Sequence, residues 1–405
     1  MTKLRLACVG AGPDKHSRSR NYLAVVKALH DLYELCAVVD PNESNAREAA
    51  AEYGIPGVYT DMEKAIKETR PDVVLRLAPT DSAMAICVTA AQMGCNVISE
   101  IPIDITLPRA DATIKACREN NVRIEIAENV WLWPEEQLKQ EIVRRGIIGR
   151  PVHARLKYPC GSYHGFNGVR MILAEEAVRV LGFGGTVEVM PLPAYAGGMM
   201  THVQWDGACV EFSSGLKLLF EMPPKKPVWE RNWDIIGTHG YLTGDSLVLY
   251  REGHHHGSGE EERFPIESVY REIQGQRVLQ AVRVNTDPVV EWVNPYIRYG
   301  ISGTDDIAKA AILESMYCAV VDGKPLRYGA ENARRDQELV IATKESTWRG
   351  SEWVSLPLSK ITRVEQRIHE VFREMYGCDP LGDVGTQLRA RYSRLSAQWT
   401  VAGWL

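Results

Sequence analysis

The sequence predicts an α/β chain in two parts: a doubly wound parallel sheet first, then an α+β domain on an open, mostly antiparallel sheet. Three observations carry this. Compact apolar runs alternate with longer amphipathic stretches through the first part of the chain. A glycine turn closes the first run, and an acid closes the second. After about residue 150, strand-like segments follow one another without regular helices between them. Buried runs separated by helices imply parallel strands joined by crossovers. Strands in direct succession imply antiparallel pairing.

Taken in order, the apolar runs at 4–9, 35–39, 73–77, 96–99 and 123–127 read as strands. The amphipathic stretches at 22–32, 45–53, 83–93 and 108–120 read as the helices between them, because their apolar residues recur at helical spacing. In the second part, 151–157, 208–212, 217–221, 233–236 and 246–251 read as strands, and 304–321 and 332–346 as amphipathic helices. The expected domains are 1–128, 129–358 and a C-terminal extension at 359–405. That extension is Arg-rich and ends near Trp399 and Trp404, which suits either a solvated helix or an arm clasping a neighbouring subunit.

The 405 residues, at roughly 150 per domain, exclude one small module. The 47 basic and 52 acidic residues leave a net charge of -5, with no field to hold a polyanion, so nucleic acid is not an expected partner. The first apolar run is broken by Gly10 too early for a signal peptide, and no stretch has the apolar length of a bilayer span. Neither membrane nor export is expected, and a cytoplasmic location fits. Nine scattered cysteines without a CxxC pair indicate neither a disulfide framework nor a thiolate zinc site. The run His254, His255, His256 reads as a solvated loop, since adjacent side chains on an extended segment point in opposite directions, and no metal is expected.

The first strand runs into Gly10-Ala11-Gly12, and the next ends in Asp40. Glycines let the backbone approach a pyrophosphate, the following helix N-terminus offers N–H donors, and an acid at this distance accepts from a ribose 2'-hydroxyl. The pattern predicts a Rossmann dinucleotide site, and because Asp40 repels a 2'-phosphate the expected cofactor is NAD. A third glycine is missing: Lys15 stands there, and 13–20 reads as an inserted polar loop before a helix beginning near Asn21. The cations Lys15, His16, Arg18 and Arg20 suit either pyrophosphate contact or a solvated loop.

The segment Gly94-Cys95-Asn96-Val97-Ile98-Ser99-Glu100-Ile101-Pro102 resembles the G-K-H-V-x-x-E-K-P of the Gfo/Idh/MocA oxidoreductases. Asn129, the segment 146–152 and the segment 235–242 continue the resemblance in order, over roughly residues 3–350. It implies a Rossmann domain followed by a sheet domain holding the substrate site, with Pro79, Glu100, Pro102 and Asn129 joining Gly10, Gly12 and Asp40 around NAD. It also implies a small carbohydrate substrate, hydride transfer at a ring carbon, and a homo-oligomer.

The resemblance breaks at the proton-handling residues. Ile101 replaces the family's Lys, and Ile172 stands where a helix usually supplies His. Neither side chain can accept a proton. The Gly-punctuated segment 158–168 instead carries Tyr163 and His164, with Lys157 just before it, and these are the candidate catalytic residues. The loss of Lys together with a Tyr and a His-Gly is similar to the NAD-dependent glycosidases of the same superfamily, which implies transient oxidation, elimination, water addition and hydride return as an alternative to net oxidation. A nucleotide-binding sensor without catalysis is a third reading. Trp131 and Trp133, following Asn129 at a strand end, suit stacking on a sugar, and Arg170 suits an anionic substrate group.

Overall fold

Uninterrupted aliphatic runs become the buried strands of the first unit. In the computed structural model, β1 (Leu4–Val9), β2 (Tyr33–Val39), β3 (Gly57–Tyr59), β4 (Val73–Arg76), β5 (Asn96–Ser99) and β6 (Ile124–Ile126) form a sheet in the order β3-β2-β1-β4-β5-β6. Every pairing in it is parallel. The crossovers are α1 (Arg18–Ala28), α2 (Glu43–Tyr53), α3 (Met62–Thr69), α4 (Ala83–Gln92) and α5 (Leu107–Glu119). The chain reverses direction across the sheet between β1 and β4, the switch point at which such sheets open a crevice for ligands.

The structure describes residues 2–157, 162–193, 199–222, 232–251, 260–273, 275–392 and 396–397. The histidines at 254–256, Trp399, Trp404 and the first four residues of the 158–168 segment lie outside these.

Among the described residues two compact units emerge: 2–129 with 298–337 and 365–397, and 130–297 with 338–364. The stretches 298–337 and, among the described residues, 365–397, expected in the second domain and in the extension, fall in the first unit.

The second unit holds α6 (Pro134–Arg144), β7 (Pro151–Lys157), α7 (Ser162–Leu173), β8 (Ala177–Pro193), β9 (Met199–Phe212), β10 (Lys217–Met222), β11 (Asn232–Gly237), β12 (Gly240–Leu242), β13 (Ser246–Tyr250) and β14 (Glu261–Pro265). A separate antiparallel sheet of β15 (Glu267–Ile273), β16 (Gln276–Val284) and β17 (Val290–Val293) follows. Beyond it come α8 (Thr304–Val321), α9 (Gly329–Trp348), β18 (Val354–Ser355), α10 (Arg363–Tyr376) and α11 (Val384–Leu388). The large sheet runs β14-β13-β12-β11-β7-β10-β9-β8-β18, antiparallel except where β10 lies parallel to β7. Sheet and helix meet closely at Gly182, where a Cβ would stand 2.1 Å from the Thr343 carbonyl oxygen.

Two expectations change. Ser17, in extended conformation, is the N-cap of α1, so the helix starts at Arg18 and the polar loop shortens to 13–17. The extension is not a solvated helix: α10 buries Ile368, Val371 and Phe372, spaced on one helical face, within its own chain. Among the described residues no helix is long and apolar enough to cross a membrane.

Candidate functional site

At the switch point the two glycines are required by space as much as by conformation. Gly10 has φ +101°, and a Cβ there would stand 2.7 Å from the Ala78 nitrogen, in the turn after β4. Gly12 has φ +70°, and a Cβ there would run into the Ser17 side chain. The Asp40 carboxylate, almost fully buried at the end of β2, ties this turn to its own. Its Oδ2 accepts from the Ala11 N–H at 2.9 Å, and its Oδ1 accepts from the Asn42 N–H at 2.9 Å and from Asn45 Nδ2 at 3.3 Å. Arg20, expected in a polar loop, is buried; it donates to the Ala11 carbonyl at 3.2 Å and to Glu52 at 2.8 Å.

The turns after β4 and β5 are organised by a buried arginine. Arg76 donates to Ser99 Oγ at 2.6 Å, to the Ala78 carbonyl at 2.8 Å and to the Glu100 carbonyl. Pro79 starts the short turn after β4, and Pro102 follows a cis bond after β5.

Next to these turns lies a charged cluster that the sequence did not reveal. Arg18 Nε donates to Glu100 Oε1 at 2.9 Å, and its Nη1 donates to Asp305 Oδ2 at 2.7 Å. Asp305 also pairs with Lys309 at 2.8 Å and accepts from Asn129 Nδ2. The Tyr22 ring lies beneath both cations, 5.0 Å from the Arg18 guanidinium carbon and 5.7 Å from Lys309 Nζ. Burial pushes the Glu100 carboxyl above its ordinary range, while Arg18 pulls it back. Burial opposes ionisation of Asp305 too, but Arg18 and Lys309 outweigh it and hold that carboxyl below its usual value.

Gly10, Gly12, Asp40, Pro79, Glu100, Pro102 and Asn129 thus gather at the C-terminal ends of β1, β2, β4, β5 and β6. They fit NAD: the glycines leave room for the backbone to approach a pyrophosphate, and α1 begins at Arg18, six residues after Gly12, with no side-chain cap bond from Ser17 on its first N–H groups. Ser17 Oγ, Glu100 Oε2 and Tyr22 Oη, all buried, make no hydrogen bond among the described residues, so polar capacity is left at this end of the sheet. Asp40 replaced by alanine is expected to weaken NAD by roughly tenfold, the value of one hydrogen bond to a charged group, and NADP by less. Equilibrium titration with both nucleotides checks this; an unchanged NAD-to-NADP ratio would show that Asp40 does not read the ribose.

In the second unit, Tyr163 and His164 occupy the first turn of α7, both half-buried, with ring centroids 6.3 Å apart and ring planes 86° apart. The helix is anchored behind them. Phe166 meets Phe220 at 5.0 Å, and Gly168 lies so close to the Trp233 indole that a Cβ would stand 1.8 Å from it. Lys157 ends β7, opposite Asn232 of β11. Ile172 is core. Arg170 is buried rather than on the surface and donates to Glu176 at 3.1 Å, so a substrate anion would have to share it. Trp131 is 6% exposed and offers little face to a sugar, whereas Trp133 is half-buried and retains some.

Residues 4–128 match the family model described as "Oxidoreductase family, NAD-binding Rossmann fold", of the Gfo/Idh/MocA group. The chain is 25% identical over 185 residues to a D-apiose dehydrogenase of Paraburkholderia graminis, an alignment covering 46% of this chain and 48% of that one. It is 22% identical over 259 residues to the NAD-dependent scyllo-inositol 2-dehydrogenase of Bacillus subtilis, covering 59% and 73%. The chain thus spans about half the length of the first relative and about three quarters of the second. A levoglucosan dehydrogenase solved with NADH and levoglucosan shares the fold, with a TM-score of 0.68 and 16% identity over 88% of this chain and all of that one. Residues 4–128 are thus the NAD-binding Rossmann domain of the Gfo/Idh/MocA oxidoreductase family.

Proposed function

We propose that the protein is an NAD-dependent oxidoreductase moving hydride between NAD(H) and a ring carbon of a sugar, glycoside or cyclitol. The observation that carries this is the glycine turn built against the Ala78 turn with Asp40 beside it. The sugar and inositol dehydrogenases among its relatives support the substrate class.

When bound, NAD supplies the hydride acceptor. The chain's own part is to orient and to handle the proton. Backbone N–H groups of the Gly10–Gly12 turn and of α1 receive the pyrophosphate, and Asp40 accepts from a ribose hydroxyl. A hydroxyl losing hydride from its carbon must lose its proton as well. An imidazole nitrogen of His164 takes that proton, and the Tyr163 hydroxyl assists it. Ile101 cannot take the part of the family's lysine.

That isoleucine also favours a second reading, redox-neutral cleavage in which hydride returns to the same substrate. One experiment separates the readings: a panel of sugars, glycosides and cyclitols followed both by NADH absorbance and by product analysis. Net oxidation gives NADH in step with substrate loss. Redox-neutral cleavage gives product at constant NADH, and nucleotide binding with no product at all supports the sensor.

A further inference from the structure

The C-terminal extension has a role that the dinucleotide fold alone does not require. Its residues grip the two turns that follow β4 and β5. Asp81, fully buried three residues after Ala78, accepts at Oδ2 from the Tyr376 hydroxyl at 2.9 Å and from the Ala397 N–H at 2.8 Å. Its Oδ1 accepts from Ser396 Oγ. Arg109, also fully buried, donates to the Pro380 carbonyl at 2.6 Å, to Gln387 Oε1 at 2.9 Å and to the Asp81 carbonyl at 2.8 Å, with the Phe372 ring 4.7 Å from its guanidinium carbon. In the turn after β5, Thr106 Oγ1 lies 2.8 Å from His369 Nε2, and the Leu107 N–H donates to Glu365 at 2.9 Å.

The inner faces of the same turns are the candidate cofactor surface. Ala78 touches the space that Gly10 keeps free, and Glu100 and Pro102 lead into the second turn. Surface loops ordinarily retain conformational freedom that a ligand must remove on binding. Here each turn is fixed from outside by hydrogen bonds to buried, charged side chains.

We infer that residues 365–392, with Ser396 and Ala397, are a positioning clamp for the dinucleotide: by fixing the turns after β4 and β5 they strengthen NAD binding, with Asp81 and Tyr376 as positioning residues. The inference rests on the reading that NAD binds at this end of the sheet. Coupling of this kind is reciprocal, so NAD must strengthen docking of the extension by the same factor as the extension strengthens NAD.

The test uses the full chain. Tyr376→Phe removes one donor to Asp81 and keeps the ring, and thermal melting confirms that the variant is folded. NAD affinity is expected to fall by about three- to tenfold, the net worth of one ordinary hydrogen bond. With a substrate in hand, KM for NAD rises by the same factor while kcat at saturating NAD stays within about twofold. In the wild type, saturating NAD slows trypsin cleavage after Arg389 and Arg391, and in Tyr376→Phe that protection shrinks. Unchanged NAD affinity in folded Tyr376→Phe, or cleavage indifferent to NAD in the wild type, overturns the clamp alone. Failure of the wild type to bind NAD overturns the clamp together with the cofactor reading. Asp81→Asn, which places an amide against three donors, is expected to give the larger loss; if it does not fold, Tyr376→Phe and the wild-type protection decide.

Discussion

Replacing His164 with alanine is expected to lower turnover by roughly 10²- to 10⁴-fold, the usual contribution of a positioned acid–base group, and to leave NAD affinity within about twofold. The second half of this expectation follows from position. His164 lies in the second unit, on the first turn of α7, whereas the glycine turn and Asp40 lie in the first. The fold should survive as well. The residues holding α7 are Phe166, Val169 and Ile172 in the core and Gly168 against Trp233, and His164 itself is half-buried. Steady-state rates on the substrate found by the panel, with NAD titration of the same preparation, measure both quantities. Turnover above about a tenth of wild type would remove His164 from the proton-handling role and pass it to Tyr163 or Lys157. Tyr163→Phe is the companion variant, since it keeps the ring and removes only the hydroxyl.

What the sequence made legible here follows from the range of the interactions involved. The parallel sheet was readable because most of its strands are short local runs with a helix beside them; β1 and β5 span the expected residues, and β2, β4 and β6 begin and end within two positions of them, while β3 was not read, since three half-buried residues leave no run. Gly10, Gly12 and Asp40 were readable because backbone chemistry fixes their spacing. β8 was not. Its glycines weaken a strand pattern, and at least Gly182 is there for the closeness of α9, which no local window contains. The same holds for the charged cluster. Asp305 reads locally as an ordinary acid in the first turn of a helix, and only the fold brings it to Arg18, 287 positions away. Tyr376 and Asp81 are 295 positions apart, so the extension read as a solvated helix or an arm clasping a neighbour.

Arg109→Met is expected to cost about 3–5 kcal/mol of stability, the penalty for removing one partner of a buried ion pair. Arg109 Nε and Asp104 Oδ1 are 2.5 Å apart, and neither side chain has any exposure to water. Asp104 retains the Ile105 N–H at 2.7 Å, while its Oδ2 has no partner among the described residues, so the carboxylate depends on Arg109 for most of its compensation. The variant also frees the Pro380 carbonyl, Gln387 Oε1 and the Asp81 carbonyl. Denaturant unfolding at neutral pH measures the loss. The pH dependence identifies its source. Burial lifts the Asp104 carboxyl above its ordinary 3.8, and Arg109 is the strongest influence pulling it back. Without Arg109 the folded-state value rises further above the unfolded one, so the native state binds a proton that the unfolded state does not. Stability of the variant relative to wild type therefore recovers as pH falls through that raised value, and the deficit is full above it. Asp104→Asn in the same chain removes the buried charge and should restore part of the loss at neutral pH, because replacing both members of a buried pair costs far less than stranding one. If the double variant is as unstable as Arg109→Met at every pH, the cost lies in the bonds to Pro380, Gln387 and Asp81, and the arginine serves the extension rather than the aspartate.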